Sequence, residues 1–174
     1  GLNKIVFSGQ HNIEVNPIIL SKSRFQQFQD HLMLFFTGFS RLASEIEEDK
    51  IKQISNKKSE LSSLYNMVED AIDILNGEGD IVDFGRLLHE SWRLKKSLSD
   101  KVSTSYIDDI YETGIKNGAL GGKLLGAGGG GFILFFVKPE DRDRLKQTLG
   151  HLLHVPFRFD TTGSQIIYYS ESGV

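Results

Sequence analysis

Residues 118–137 read GALGGKLLGAGGGGFILFFV, and the character of the chain changes at both ends of this stretch. Eight of the 18 glycines in the chain lie between Gly118 and Gly131. An apolar run rich in aromatic residues, Phe132–Val137, follows at once. Such a run, bounded by glycine and polar residues, is typical of a buried strand. The stretch therefore predicts a glycine-rich connection that leads directly into a strand.

The residues before this stretch divide into a β-rich start and a long helical region. β-branched and aromatic residues over 3–20, interrupted by the turn-forming residues 8–11, predict a hairpin. The short apolar run Leu32–Phe36, closed by Thr37 and Gly38, predicts a central strand. From about residue 40 to 118 the spacing of apolar residues is helical.

Four helix signals occur within that helical region. A capping box at Ser44 and Glu47 indicates one helix start. Apolar residues at helical spacing over 61–75 predict a long amphipathic helix that ends at Asn76 and Gly77. Asp83 is predicted to cap the next helix, whose inner face includes Trp92. A further helix is predicted from about Thr104 to Lys116, with Gly118 as its stop.

The residues after the glycine-rich stretch return to a mixed pattern. Pro139 suits the first turn of a helix that continues through Leu149. Residues 155–159 and 165–169 predict a second hairpin around the turn 160–163. The sum is an α+β fold with a mostly antiparallel sheet and a packed helical layer. With no internal repeat and no long linker, one domain is predicted over 1–174.

Composition limits the classes of function. The chain has 174 residues, a net charge of −3 and no cysteine, so thiol chemistry and disulfides are excluded. The slight negative charge gives no reason to expect nucleic-acid or acidic-membrane partners. No apolar run approaches the ~20 residues that cross a bilayer, and a cytoplasmic protein is expected. A start at Gly1 with a strand almost at once suggests a fragment.

The glycine-rich segment 121–131 fits neither of two common nucleotide-binding motifs. Gly126, Gly128 and Gly131 match the spacing of the dinucleotide fingerprint, but that motif requires a following helix rather than a strand. A Walker loop fails because no Gly-Lys-Ser/Thr follows the required spacer. Four glycines in a row, 128–131, disfavour folding by about 2–4 kcal/mol. Glycine content alone leaves two explanations open, close packing or ligand binding.

Four segments together resemble the GHMP kinases over nearly the whole chain. Residues 118–132 are similar to the third, glycine-rich motif of that superfamily. Residues 35–44 resemble the entry of a strand into its active-site cleft, and residues 89–99 and 156–159 are similar to segments of heptose-phosphate kinases and fucokinases. The likeness is greatest to kinases of D-glycero-D-manno-heptose 7-phosphate. It implies a C-terminal domain with a ferredoxin-like core.

The resemblance also implies what the chain lacks. The serine- and glycine-rich ATP loop of the family and its general-base aspartate belong to the N-terminal half, and neither occurs here. ATP and Mg²⁺ are therefore implied for the parent enzyme, with their main ligands in a missing N-terminal domain. No catalytic residue and no metal ligand is expected in this chain. The isolated fragment is expected to be inactive.

Within this half, the resemblance implies phosphate and substrate binding by the residues around the glycine motif. Phosphoryl transfer depends mostly on positioning and charge neutralisation. Lys123 could meet phosphate oxygens or be a solvated lysine at a strand edge. Thr37 could donate to a sugar or a phosphate, or cap a helix, and Arg41 could bind phosphate or form a surface ion pair. The predicted set is Lys123, Gly126, Ala127, Gly128, Gly129, Gly130, Gly131, Thr37 and Arg41.

Other polar groups have simpler explanations. Arg93, Lys95 and Lys96 could reach the 7-phosphate of the substrate, but a solvated basic helix face explains them as well. The acidic residues 45–49 suit a helix N-terminus better than a metal site. His151 and His154 lack a third ligand.

Three functions remain in competition at this point. The first is transfer of phosphate from ATP to the anomeric hydroxyl of the heptose 7-phosphate. The second is the same chemistry on another sugar, notably fucose. The third is a non-catalytic binding domain that has kept the fold.

Overall fold

The computed structural model describes residues 1–9, 12–38, 56–126, 130–160, 162–166 and 168. The chain divides into two compact units, one formed by Gly1–Ile19 with Arg158–Val174 and the other by Leu20–Phe157. The single domain over 1–174 stays a prediction. Among the described residues, no helix combines the length and apolarity needed to span a membrane.

The first unit contains the N-terminal hairpin that the sequence predicts. Strands β1 (Asn3–Ser8) and β2 (Asn12–Pro17) pair in antiparallel register. One cross-strand pair is Ile5 with Val15, and another is Phe7 with Ile13. All four side chains are more than half exposed. The hairpin is confirmed, and one of its faces is apolar and uncovered.

The second predicted hairpin, over 155–159 and 165–169, is wrong for the residues that the structure describes. Only its first residue, Val155, lies in a strand, and residues 156–160, 162–166 and 168 form none. The turn itself is present, because the Asp160 carboxylate accepts hydrogen bonds from the Thr162 amide (2.9 Å) and hydroxyl (2.6 Å). A turn can be predicted from sequence because it depends on side chains within it, whereas a strand forms only if a second strand is available to pair with it.

The second unit is built on a four-stranded antiparallel sheet. Its strands are β3 (Leu32–Phe36), β4 (Ala119–Leu125), β5 (Phe132–Val137) and β6 (Leu153–Val155). Their spatial order is β4-β5-β3-β6, with β3 in the interior as predicted. Helices connect β3 to β4 and β5 to β6, which gives the predicted ferredoxin-like arrangement.

The helices agree with most of the sequence predictions. They are α1 (Lys22–Asp30), α2 (Lys58–Asn76), α3 (Val82–Ser97), α4 (Ser105–Lys116) and α5 (Arg142–Thr148). A short 3-10 turn, Pro139–Asp141, precedes α5. Helix α1 was not predicted, although Ser21 is an ordinary N-cap that accepts from the Arg24 amide. The predicted capping box at Ser44 lies outside the described residues.

The predicted cap at Asp83 is wrong. Helix α3 begins one residue earlier, at Val82, and the Asp80 carboxylate accepts from the Val82 amide at 3.0 Å. Asp83 instead lies in the first turn, paired with Arg86. Asp80 and Asp83 both lie near the N-terminus of α3, and the partial positive charge there stabilises a carboxylate at either position.

The core fills both faces of the sheet. On one face, Phe135 packs against α4 at Tyr111 and Gly114. On the other face, Phe28 of α1 and Phe84 of α3 surround Phe136, with ring centroids 6.0 and 5.4 Å away. Trp92 is 1% exposed, which confirms it as a core residue. Because β4 and β5 pair in antiparallel register, Leu125 and Phe132 lie at the same end of the sheet.

Candidate functional site

The sequence predicted a glycine-rich connection here, whereas residues 119–125 form strand β4, in which two glycines have a packing role. A Cβ on Gly121 would lie 2.0 Å from the Gly85 carbonyl oxygen of α3. A Cβ on Gly122 would lie 2.6 Å from the Leu134 carbonyl oxygen. Both glycines let backbone approach backbone. Close packing, the first of the two open explanations, therefore accounts for this part of the segment.

Close packing does not account for Gly126, which begins the turn after β4. A Cβ at this position would meet no atom within 4 Å, yet φ is +105°, a conformation that L residues rarely adopt. Gly131, at the other end of the turn, has φ of +108°. The backbone is thus forced into glycine-only geometry at both ends, with open space at the first. Ala127, Gly128 and Gly129 lie outside the described residues, and Gly130 is buried.

Lys123 lies on the strand that enters this turn. It pairs with Leu134 across the β4–β5 ladder and is half-buried. Burial lowers the pKa of its ammonium below the ordinary lysine value. Within the part of the chain that the structure describes, the Lys123 ammonium has no hydrogen bond or ion pair. A cation that is partly desolvated without a partner disfavours folding, so an anionic ligand would offset that penalty.

The strand register places Lys123 beside an apolar surface at the same end of the sheet. Side chains two residues apart share a face, so Lys123 and Leu125 project from the same side of β4. Leu125 lies opposite Phe132, and Phe132 lies opposite Phe36. The Phe36 and Phe132 rings are 5.2 Å apart, and Phe132 remains 37% exposed. The candidate site therefore combines one cation, the glycine turn and an aromatic pair.

Thr37 lies next to this turn, but its hydroxyl is already occupied. The side chain is 1% exposed. Its hydroxyl donates to the Gly131 carbonyl oxygen at 2.9 Å and accepts from the Gly131 amide at 3.0 Å. The sequence predicted a ligand contact or a helix cap for Thr37, and the bond to Gly131 was missed. A readable signal existed, since equal antiparallel strands over 32–36 and 132–136 put residue 37 opposite residue 131.

The remaining predicted cations differ in whether the structure describes them and in what they contact. Arg41 lies outside the described residues. Lys96 forms an ion pair with Asp108 at 2.6 Å, and Ser103 donates to the same carboxylate. Arg93 is exposed and Lys95 is half-buried on the same helix. The charge of Lys96 is therefore committed within the protein.

Metal binding finds no support in the described residues. No group of three or more histidine, aspartate or glutamate side chains within them could hold an ion. The acidic run 45–49 lies outside them. His154 contacts Phe35, and burial together with Lys146 and Arg142 lowers its pKa. The described side chains do not fit a Mg²⁺ site.

Fold and site together define a class of protein, the C-terminal domains of GHMP kinases. The family description "GHMP kinases C terminal" matches residues 61–153. The chain belongs to this family, which confirms the resemblance and the α+β class with its ferredoxin-like core.

Particular relatives narrow the comparison. The chain is 34% identical over 151 residues to the D-glycero-α-D-manno-heptose 7-phosphate kinase of Campylobacter jejuni, covering 86% of this chain and 44% of that protein. It is 30% identical over 143 residues to the bifunctional fucokinase/GDP-fucose pyrophosphorylase of Arabidopsis thaliana, covering 79% of this chain and 13% of that protein. The crystal structure of L. major mevalonate kinase with R-mevalonate matches with a TM-score of 0.65 and 22% identity, over 82% of this chain and 43% of that one. The chain therefore spans less than half the length of these relatives.

Proposed function

We propose that this chain is the C-terminal half of an ATP-dependent kinase that phosphorylates the anomeric hydroxyl of D-glycero-D-manno-heptose 7-phosphate. The product would be the 1,7-bisphosphate. The observation that carries the proposal is the open, positive-φ Gly126, three residues after Lys123, whose half-buried ammonium makes no hydrogen bond or ion pair within the described residues. The positive φ of Gly126 and the desolvated ammonium of Lys123 each disfavour folding of the chain alone, and both are compatible with a bound phosphate.

The roles follow from what phosphoryl transfer requires. The transferring group carries negative charge, and kinases stabilise it with cations and aligned backbone N–H groups. Main-chain amides of residues 126–130 would supply the N–H donors and Lys123 the positive charge, while the Gly131 amide already donates to the Thr37 hydroxyl. Arg41 stays in the proposal as a second cation. The aromatic pair Phe36 and Phe132 would exclude water from the phosphate and so strengthen these interactions.

The chemistry itself is assigned to the part of the protein beyond this chain. We propose that the parent enzyme carries an N-terminal domain with the ATP loop, the Mg²⁺ ligands and the general base. The share of the relatives that this chain covers supports such a second half. The isolated chain would then bind phosphate weakly and transfer none. A cytoplasmic location, where ATP is available, is part of the proposal.

Two sugars compete as the acceptor. Identity to the heptose 7-phosphate kinase favours the heptose, and identity only a few percent lower to the fucokinase keeps fucose as the second candidate. Fold likeness does not separate them, since mevalonate kinase shares the fold.

The test is ADP production by the full-length protein with each acceptor. We expect turnover with the heptose 7-phosphate and much slower turnover with fucose. Turnover with fucose alone would replace the acceptor and keep the reaction. Binding of both without ADP production would favour the non-catalytic binding domain.

A further inference from the structure

The buried contact between Thr37 and Gly131 joins two distant parts of the chain at the edge of the candidate site. Thr37 follows the last residue of β3, and Gly131 precedes the first residue of β5. Three hydrogen bonds connect them. The Thr37 amide donates to the Gly131 carbonyl at 2.9 Å, and the Thr37 hydroxyl adds the two bonds described above.

The geometry shows why a hydroxyl is needed at this position. The β3–β5 register ends with Phe36 opposite Phe132, so Thr37 and Gly131 would form the next pair. In a continued antiparallel ladder, the Gly131 amide would donate to a main-chain carbonyl. Here it donates to the Thr37 hydroxyl instead. The side chain replaces one ladder acceptor while the chain turns away at Gly38, where φ is +93°.

The same geometry leaves the hydroxyl unable to serve a phosphate. A threonine hydroxyl has one proton, and that proton is donated to the Gly131 carbonyl. Phosphate oxygens need donors, so the lone pair that remains on the hydroxyl offers them nothing. Burial of the side chain also keeps it from a ligand.

We propose that Thr37 is a positioning residue of the kinase reaction, which holds Gly131 in place and so fixes where the glycine-rich segment rejoins the sheet at β5. This inference rests on the proposed function. Gly131 has φ of +108°, and because glycine leaves such a conformation readily, the hydrogen bonds to Thr37 restrict it before a ligand binds. Preorganised amides are what make such donors effective in catalysis.

The experiment uses the full-length protein with Thr37→Val, which keeps the shape and removes the hydroxyl, and Thr37→Ser, which keeps the hydroxyl. Thr104→Val is the matched control, because the Thr104 hydroxyl, like that of Thr37, accepts from a main-chain amide, here that of Ile107 at the start of α4. Three quantities are measured for each variant: kcat and KM for the sugar phosphate, the thermal midpoint, and hydrogen exchange of the peptide that contains Gly131.

We expect Thr37→Val to lower kcat/KM by tenfold or more and to speed amide exchange at Gly131. Thr37→Ser should stay within about threefold of wild type, and Thr104→Val should lower the thermal midpoint with unchanged KM. Equal activity of Thr37→Val and wild type would overturn the inference. So would equal losses in Thr37→Val and Thr104→Val at equal loss of thermal midpoint.

The two proposals fail in different ways. A wild-type protein that phosphorylates no sugar would sink the proposed function, and with it the role of Thr37 in that reaction. The exchange measurement would still decide whether the hydroxyl holds the turn. A wild-type protein that is active while Thr37→Val is equally active would sink the positioning role alone.

Discussion

At the scale of single residues, Lys123 offers a test in which stability and function change in opposite directions. Because burial lowers the pKa of its ammonium, the charged side chain disfavours the folded state. We expect Lys123→Met to raise the thermal midpoint of the full-length protein. The same variant should lower kcat/KM by roughly 10- to 100-fold, since a hydrogen bond to a charged group contributes about 1.5–3 kcal/mol.

The control is Lys116→Met, at an exposed ion pair with Glu112 at the end of α4. That change should alter stability by less than about 0.5 kcal/mol and leave activity intact. A Lys123→Met variant that loses stability and keeps its activity would show that the lysine serves the fold.

The depressed pKa of Lys123 also predicts how the stability gain depends on pH. The unfolded chain holds this proton more tightly than the folded protein, so stability rises with pH between the folded and the unfolded pKa. The advantage of Lys123→Met over wild type should therefore shrink as the pH rises towards the ordinary lysine value. Chemical denaturation of both proteins from neutral to alkaline pH measures it. An advantage that stays constant over that range would contradict the assigned cause.

At the scale of elements, the glycines of β4 and of the following turn should respond differently to alanine. A Cβ on Gly121 would collide with the backbone of α3, so Gly121→Ala must push helix and strand apart. We expect a loss of about 2–4 kcal/mol in unfolding free energy. Gly126→Ala meets no neighbour and carries only the strain of a positive φ, about 1–2 kcal/mol.

The effect on activity should follow the opposite order. At a temperature where both variants are folded, Gly126→Ala should lower kcat/KM more than Gly121→Ala does. Gly126→Ala is expected to reduce kcat/KM more than its small stability loss explains, because it changes the backbone at the phosphate. Urea denaturation together with ADP production gives both numbers. Equal stability losses at the two positions would mean that the division between packing glycines and site glycines is wrong.

This division also shows what the sequence can and cannot predict. The run Phe132–Val137 predicts its strand because the pattern is local. The contact of Gly121 with Gly85 joins residues 36 positions apart, and a glycine run looks the same whether it packs or binds. The turn at Asp160 is readable from its own side chains, while the missing strands beside it depend on partners elsewhere. Local chemistry predicted the elements, and non-local contacts decided the roles of individual glycines.

At the scale of the whole molecule, the uncovered apolar face of the β1–β2 hairpin bears on the proposal that this chain is part of a longer enzyme. Phe7 is 74% exposed and its cross-strand partner Ile13 is 60% exposed. Contiguous apolar surface of this kind usually marks an interface. We propose that the N-terminal domain of the proposed parent enzyme covers it, in keeping with the length of the relatives.

The isolated chain should therefore bind a hydrophobic dye and self-associate in light scattering, and it should produce no ADP with ATP and the heptose 7-phosphate. The double change Phe7→Ser and Ile13→Ser should reduce both dye binding and association, because it removes one complete cross-strand pair. Tyr65→Ser removes a similarly exposed aromatic residue from α2 (72% exposed) and should change neither.

In the full-length protein the hairpin is expected to be covered, so dye binding should be low and the double change should destabilise the fold. A monomeric, dye-free isolated chain, or a full-length protein indifferent to the double change, would remove the hairpin face from the proposed interface.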